Sequence, residues 1–274
     1  MRLPVAACLP AFAALALVAA QPAQAKAPSF VSGKTVSMCT DPTYAPMEFY
    51  RHPGDKAPVG FDIDLATALA KRWGVTLRIV PMDFTGLMPG LDAKRCDMVM
   101  SGAFVTPARL AHFDGVPYIA SSQVILVSAK THDIHSPDDL SGKVVSVQAG
   151  TVYEQRLHAL DAELKAKGKP GITIQSYPGG ADTVQQLTTG RAAAAITQDT
   201  EAAWRAVAQK GMFSVAYVYP ATDQFGIFFA KNPADYQQVK ADIEALKASG
   251  YLTKIGVKWR LPPSDAKAPL TWPK

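Results

Sequence analysis

The residue pattern predicts an α/β protein folded as two lobes with a cleft between them, and three observations carry that reading. Short apolar runs alternate with helical patterns along the chain, the alternation restarts after Ser128, and polar residues gather where the runs end. The 274 residues suffice for two modest cores or one large one.

Thr35–Thr40 reads as a strand. Phe61–Trp73 reads as an amphipathic helix, with Ile63, Leu65, Ala66, Leu69 and Ala70 on one face and Gly74 as its stop. Thr76–Val80 is a strand, Thr85–Ala93 helical, Asp97–Ser101 a strand and Val124–Ser128 a further apolar run. The second series has strands at Val144–Gln148, Ile172–Tyr177, Ala192–Thr197 and Ser214–Tyr219. Helices at Val152–Gly168, Asp182–Thr189 and Thr200–Gly211 separate them. Phe225–Ala230 and helices at Pro233–Ser249 and Tyr251–Trp259 follow, the first capped by Asn232-Pro233. The proline-rich tail from Leu261 is expected to drape over the surface.

Residues 1–25 read as a secretory signal: Arg2 starts it, Val5–Ala20 is almost wholly apolar, and Ala23-Gln24-Ala25 is the cleavage site. Cys8 has no apolar run before it, which excludes lipoprotein attachment. No later segment approaches the roughly 18 apolar residues of a membrane span. The net charge of +5 falls by one without Arg2 and is spread along the chain, which argues for solubility rather than nucleic-acid binding. Cys39 and Cys96 sit late in one strand and just before another. If these strands are parallel neighbours, the offset exceeds the roughly 7 Å reach of a disulfide and predicts two buried thiols. Their spacing is unlike a zinc site, and no metal or cofactor is expected.

The run Ser101-Gly-Ala-Phe-Val-Thr-Pro-Ala-Arg109 leaves a strand and opens a helix. Thr106 suits the cap, Pro107 the first turn, and Arg109 falls within it. A guanidinium beside the free N–H groups of a helix start makes a carboxylate site; the alternative is a capped helix with Arg109 in water. Asp41, Ser101–Phe104, Gln148–Thr151 and Gln198–Asp199 all lie at strand ends, where open α/β sheets bind ligands, and this favours the site.

At these residues the chain resembles the polar amino-acid class of periplasmic substrate-binding proteins, the ligand-capturing partners of ABC importers. Thr40-Asp-Pro-Thr-Tyr-Ala-Pro-Met-Glu-Phe49, Gly60-Phe-Asp-Ile-Asp-Leu65 and Pro81-Met-Asp-Phe-Thr-Gly86 carry the likeness. So do Cys96-Asp-Met-Val-Met-Ser-Gly102, Asp139-Leu-Ser-Gly-Lys-Val144 and Gly150-Thr151, and it spans about residues 35–260. The resemblance implies a type II periplasmic-binding fold, hinged by two strands crossing near Tyr118–Gln123 and Val218–Gln224. The large lobe would hold residues 26–120 and 222–274, and the small lobe, counted with the hinge strands, 121–221.

By the same resemblance Asp41 and Tyr44 lie beside the ligand side chain, Tyr44 and Phe84 sandwich it, and Gln148 contacts it. Arg109 and the backbone N–H groups around Thr151 and Val152 hold the ligand carboxylate. The alternatives are a turn cap for Asp41, core packing for Tyr44 and Phe84, and a solvated strand end for Gln148. The chain departs from the family at the ammonium partners. Phe104 stands where a Ser or Thr is usual, and Gln198 falls at an Asp position, with Asp199 one residue late. Asp199 serves only if a one-residue bulge brings it round; otherwise the ligand is a carboxylate other than a standard α-amino acid.

The resemblance implies a periplasmic monomer that passes an amino acid or related carboxylate to an importer permease. It implies no enzyme. His52, His112, His132, His135 and His158 lie in loops or on polar faces with no nucleophile arrangement. The rival readings are a secreted cyclohexadienyl dehydratase using Glu154 or Asp41 as acid, a receptor sensor domain, and an accessory protein of quinoprotein dehydrogenases.

Overall fold

The computed structural model describes residues 26–273, apart from the side chains of residues 221 and 222. The expected secretory signal and its cleavage site therefore lie outside the described residues. Strands are β1 Thr35–Thr40, β2 Thr43–Tyr44, β3 Glu48–Phe49, β4 Thr76–Pro81 and β5 Met98–Val99. They continue with β6 Phe113–Ser128, β7 Val144–Gln148, β8 Thr173–Tyr177, β9 Ala194–Gln198 and β10 Phe213–Ala230. Helices are α1 Phe61–Arg72, α2 Leu87–Asp92, α3 Pro107–Leu110, α4 Val152–Ala166 and α5 Gly180–Thr188. After them come α6 Asp199–Ala208, α7 Pro233–Ala248, α8 Tyr251–Lys258 and α9 Pro263–Lys267. No described helix is long and apolar enough to cross a membrane.

Eight strands hydrogen-bond in the order β4-β1-β5-β10-β6-β9-β7-β8. On one side β1 pairs in parallel with β4 and β5; on the other β7 pairs in parallel with β8 and β9. Between them run β6 and β10, antiparallel to each other and long enough to serve both halves. Strands expected separately at Ser214–Tyr219 and Phe225–Ala230 are thus one. Their pairing breaks register where Val218 faces Val124 but Thr222 already faces Ser122. An irregularity of this kind bends a strand pair and raises its local twist. It falls on the segments expected to cross.

Local chemistry accounts for most elements. Helix α1 buries Leu65, Ala66, Leu69 and Ala70 along one face and ends before Gly74, whose φ of +68° suits glycine. The hydroxyl of Thr151 caps α4 by accepting the Glu154 N–H at 3.2 Å. The tail is less superficial than its prolines suggest: α9 buries Asp265 and Ala266, and Leu261 is also buried.

The expectation of two free thiols is wrong. Cys39 and Cys96 form a disulfide with their Cα atoms 5.7 Å apart. The strands are indeed parallel neighbours, with Cys39 opposite Val99. However, β5 is only Met98–Val99, so Cys96 lies before the strand and is free to turn back onto Cys39. Both sulfurs sit in a small cluster with Leu87, Leu91, Val99, Ala103 and Phe228. Peptide mapping without reductant should recover Cys39 and Cys96 in one linked species. Because the bridge closes a span of 57 residues, replacing both by Ala should lower unfolding free energy by about 2–4 kcal/mol in urea titrations.

Candidate functional site

The site is built where β1, β5, β7 and β9 end. Asp41, just past β1, is buried and holds Gln148 from the end of β7: Gln148 Nε2 donates to Asp41 Oδ2 at 2.7 Å. The Tyr44 hydroxyl meets Thr200 Oγ1 at 2.6 Å, and the Gly180 N–H donates to Thr43 Oγ1 at 3.0 Å. These three bonds join the β1 side of the sheet to the β7 side, so the halves touch directly along this edge. Gln148 is accordingly a buried bridging residue, not a solvated strand end.

The turn Ser101–Phe104 is set from below. Ser101 Oγ accepts the Asp41 N–H at 2.9 Å and donates to Glu48 Oε1 at 2.8 Å. Gly102 adopts φ +51°, and a Cβ there would stand 2.6 Å from the Tyr44 ring, so only glycine fits. Ala103 is fully buried beside the disulfide. The Phe104 ring stacks on Phe225 at 5.1 Å within the core, leaving its carbonyl to the site. Tyr44 packs edge-on against Phe225, whereas Phe84 lies under Arg109; the two rings have different partners.

Thr106 caps α3 by accepting the Arg109 N–H at 3.3 Å, as its sequence predicts. Yet α3 is a single turn, too short to build an appreciable macrodipole, so the expected help from helix potential is corrected. What positions Arg109 is its side chain. Nη1 donates to the Phe104 carbonyl at 2.6 Å, and the guanidinium lies over Phe84 and Phe228 at 5.7 and 5.8 Å. Burial pulls its pKa down to about 10. Among the described residues no carboxylate forms a salt bridge with it.

Arg109 lines a cavity of about 720 Å³ together with Phe84, Thr85, Gly150, Val152 and Arg156. Gly150 lets the start of α4 approach: a Cβ there would meet Thr85 at 2.8 Å. Arg156 is already neutralised by Asp223, which it grips through both terminal nitrogens at 2.6 and 3.0 Å. The Glu154 carboxylate accepts the Gly150 N–H at 2.7 Å and also holds the Ser176 hydroxyl.

The β6–β9 ladder runs without a register shift from Val127–Ala194 to Gln123–Gln198, so there is no bulge to bring Asp199 round. Asp199 instead opens α6 and accepts the Ser121 hydroxyl at 2.7 Å. Burial raises its pKa. Gln198 is buried, and its Oε1 has no hydrogen-bond partner among the described residues. Sequence reasoning missed Thr43, Thr200 and Gly180, since small polar residues beside strand ends carry no signal until the two halves meet.

The chain matches the profile of the bacterial extracellular solute-binding proteins, family 3, over residues 36–262. It belongs to this family. It is 30% identical over 228 residues to the arginine-binding extracellular protein ArtP of Bacillus subtilis, covering 82% of this chain and 86% of that one. The histidine-binding periplasmic protein of Escherichia coli K12 is 35% identical over 170 residues, 62% of each chain. Among solved structures, an ancestral arginine-binding protein bound to arginine superimposes with a TM-score of 0.74 at 30% identity, covering 83% of this chain and 98% of that one. An ancestral amino acid-binding protein described as a precursor of cyclohexadienyl dehydratase gives 0.74 at 31% identity, covering 83% and 96%. The two-lobed type II periplasmic-binding fold of this family 3 protein agrees with the reading of its sequence.

Burial raises the Asp41 pKa from 3.8 to about 6, against hydrogen bonds from Thr43 and Gln148 that lower it. The folded chain therefore keeps a proton that the unfolded chain has released. The associated stability is complete below 3.8 and declines as pH rises towards about 6. Asp41→Asn should flatten the pH dependence of the urea midpoint across that window.

Proposed function

We propose that this family 3 protein is a periplasmic binding protein that captures an amino acid or related small carboxylate by lobe closure and delivers it to an ABC importer. The observation that carries the reading is Arg109, a partly buried guanidinium with no carboxylate partner among the described residues, facing a cavity. Partial burial of a cation without a countercharge carries a desolvation cost, and a ligand carboxylate offsets it through two parallel hydrogen bonds.

In this reading residues 26–120 and 222–274 form the large lobe and residues 121–221 the small lobe with the hinge strands. The register break between β6 and β10 supports the placement of the hinge. Ligand docks first on Arg109, Phe84 and the Ser101–Phe104 turn. The small lobe then brings Thr151 and Val152 to the carboxylate and Gln148 to Asp41. Ligand favours closure only through contacts with both lobes. Residues 1–25 would direct export and be removed after Ala25, and the mature chain would act as a monomer before a membrane permease.

The arginine- and histidine-binding relatives support an amino-acid ligand. With Phe104 in the core and Asp199 held by Ser121, an α-ammonium would find the neutral Gln198 oxygen as its nearest match to the family pattern. The chain is proposed to bind without transforming its ligand. Of the acids that a dehydratase would use, Glu154 is committed to the Gly150 N–H and Ser176, and Asp41 to Gln148.

A thermal-shift panel of L-arginine, L-histidine, L-glutamine, L-cystine, keto acids and aromatic acids should yield at least one compound that raises Tm by mass action. Calorimetry on that compound should show Arg109→Ala weakening binding by at least about 2 kcal/mol, roughly thirtyfold. Equal affinity in both proteins rejects the assignment of Arg109. Incubation with prephenate or arogenate should leave both unchanged, and an aromatic product would replace the binding reading with an enzymatic one.

A further inference from the structure

Beneath the cleft lie two carboxyl groups that the proposed function does not use. Glu48, in β3, and Asp62, in the first turn of α1, are both fully buried. Neither forms a salt bridge among the described residues. Each has one oxygen fully engaged. Glu48 Oε1 accepts the Ser101 hydroxyl at 2.8 Å; Asp62 Oδ2 accepts the Gly102 N–H at 2.9 Å and the Tyr118 hydroxyl at 2.8 Å. Their other oxygens, Glu48 Oε2 and Asp62 Oδ1, are buried with no hydrogen-bond partner among the described residues, and the two acids are held side by side by the consecutive residues Ser101 and Gly102.

Two carboxylates cannot bond to one another, because neither has a hydrogen to give. Two ionised acids side by side in a dry pocket would also repel strongly. One proton resolves both difficulties. If Glu48 carries it on Oε2, that oxygen donates to Asp62 Oδ1, and Asp62 remains the acceptor that the Gly102 amide and Tyr118 hydroxyl require. We propose that Glu48 and Asp62 share one proton, and that this singly protonated pair is the positioning device for the Ser101–Phe104 turn that anchors Arg109. The link to ligand rests on the binding role given to Arg109 above.

The connections run outward in three directions. Asp62 holds Gly102, two residues before the carbonyl that anchors Arg109. Through Tyr118 the pair touches hinge strand β6. By way of Ser101 it reaches the Asp41 N–H, and the Asp41 carboxylate holds Gln148 across the cleft. The titratable groups that act on the pair are Asp41 at the end of β1, Tyr118 in β6 and, behind Tyr118, Tyr44 in β2. Asp41 opposes a second negative charge, whereas the Tyr118 hydroxyl favours the charge on Asp62 by donating to it. Burial is the largest cause raising both carboxyls above their usual range. The folded chain thus holds a proton that the unfolded chain loses, so stability falls as pH rises through the ionisation of the pair.

The test uses ligand-free protein first. Infrared difference spectra of the wild type at about pH 7 should contain the carbonyl stretch of a buried protonated carboxylic acid, absent from Glu48→Gln. The Gly102 amide resonance should move in wild type as pH is raised to about 10, but stay in place in Glu48→Gln. Glutamine reproduces both bonds, its oxygen accepting from Ser101 and its amide donating to Asp62, without a titrating proton. Asp62→Asn should also retain the Gly102 resonance position, since its amide can donate to an ionised Glu48. The double variant should lose it: two amides cannot satisfy Ser101, Gly102 and Tyr118 together without opposing donors. L-arginine titrations should then show Glu48→Gln within about threefold of wild type and the double variant at least tenfold weaker. A missing carboxylic band in wild type, the same Gly102 titration in wild type and Glu48→Gln, or additive effects in the double variant overturns the proposal. Failure of wild type to bind L-arginine bears on the ligand reading alone, because the infrared and amide signals are read without it.

Discussion

The long antiparallel pairing of β6 with β10 is the constraint on which the rest of the molecule depends. It lies at the centre of the sheet and supplies the only strands that pair within both halves among the described residues. On either side the parallel strands end towards a common cleft, so the residues following β1, β5, β7 and β9 come together there. Where the ladder loses register, between Val218 and Thr222, fewer regular hydrogen bonds oppose bending. The same two strands that hold the halves together therefore contain the irregularity at which the hinge is proposed.

The contacts across the proposed cleft are polar and of modest net strength. Gln148 with Asp41, Tyr44 with Thr200, and Gly180 with Thr43 all exchange bonds to water for bonds across the cleft. Such exchanges contribute about 0.5–1.5 kcal/mol each, small enough for a ligand to bias the balance between open and closed forms. Arg109 differs in kind. Its aromatic neighbours and the Phe104 carbonyl hold the guanidinium but, among the described residues, leave its charge without a carboxylate salt bridge. A site that combines weak closing contacts with one unsatisfied charge favours occupants that bring the opposite charge.

The legibility of the sequence varied with the range of the interaction. Local chemistry was readable: Thr106 and Thr151 cap helices, Asn232 caps α7, and the β7 boundaries match the apolar run Val144–Gln148. Contacts that span the fold were not. The Cys39–Cys96 bridge depends on β5 being two residues long, which a hydrophobic run from Asp97 to Ser101 does not reveal. Thr200 and Gly180 matter because they face Tyr44 and Thr43 across the cleft, a fact of lobe placement. Glu48 and Asp62 stand in quoted motifs, yet nothing in the spacing shows that the consecutive residues Ser101 and Gly102 hold one each.

By itself the sequence determined the α/β class, the two series, the capped turns and the candidacy of Arg109, because periodicity, caps and strand ends are set by neighbours in the chain. Its motifs also carried the family. Only the tertiary structure decided which acids are buried in a dry interior, which thiols meet, and that the Phe104 ring turns inward while its carbonyl steadies Arg109. Those outcomes depend on burial and on distances between residues remote in sequence. Desolvation and hydrogen-bond geometry act only once the chain has folded.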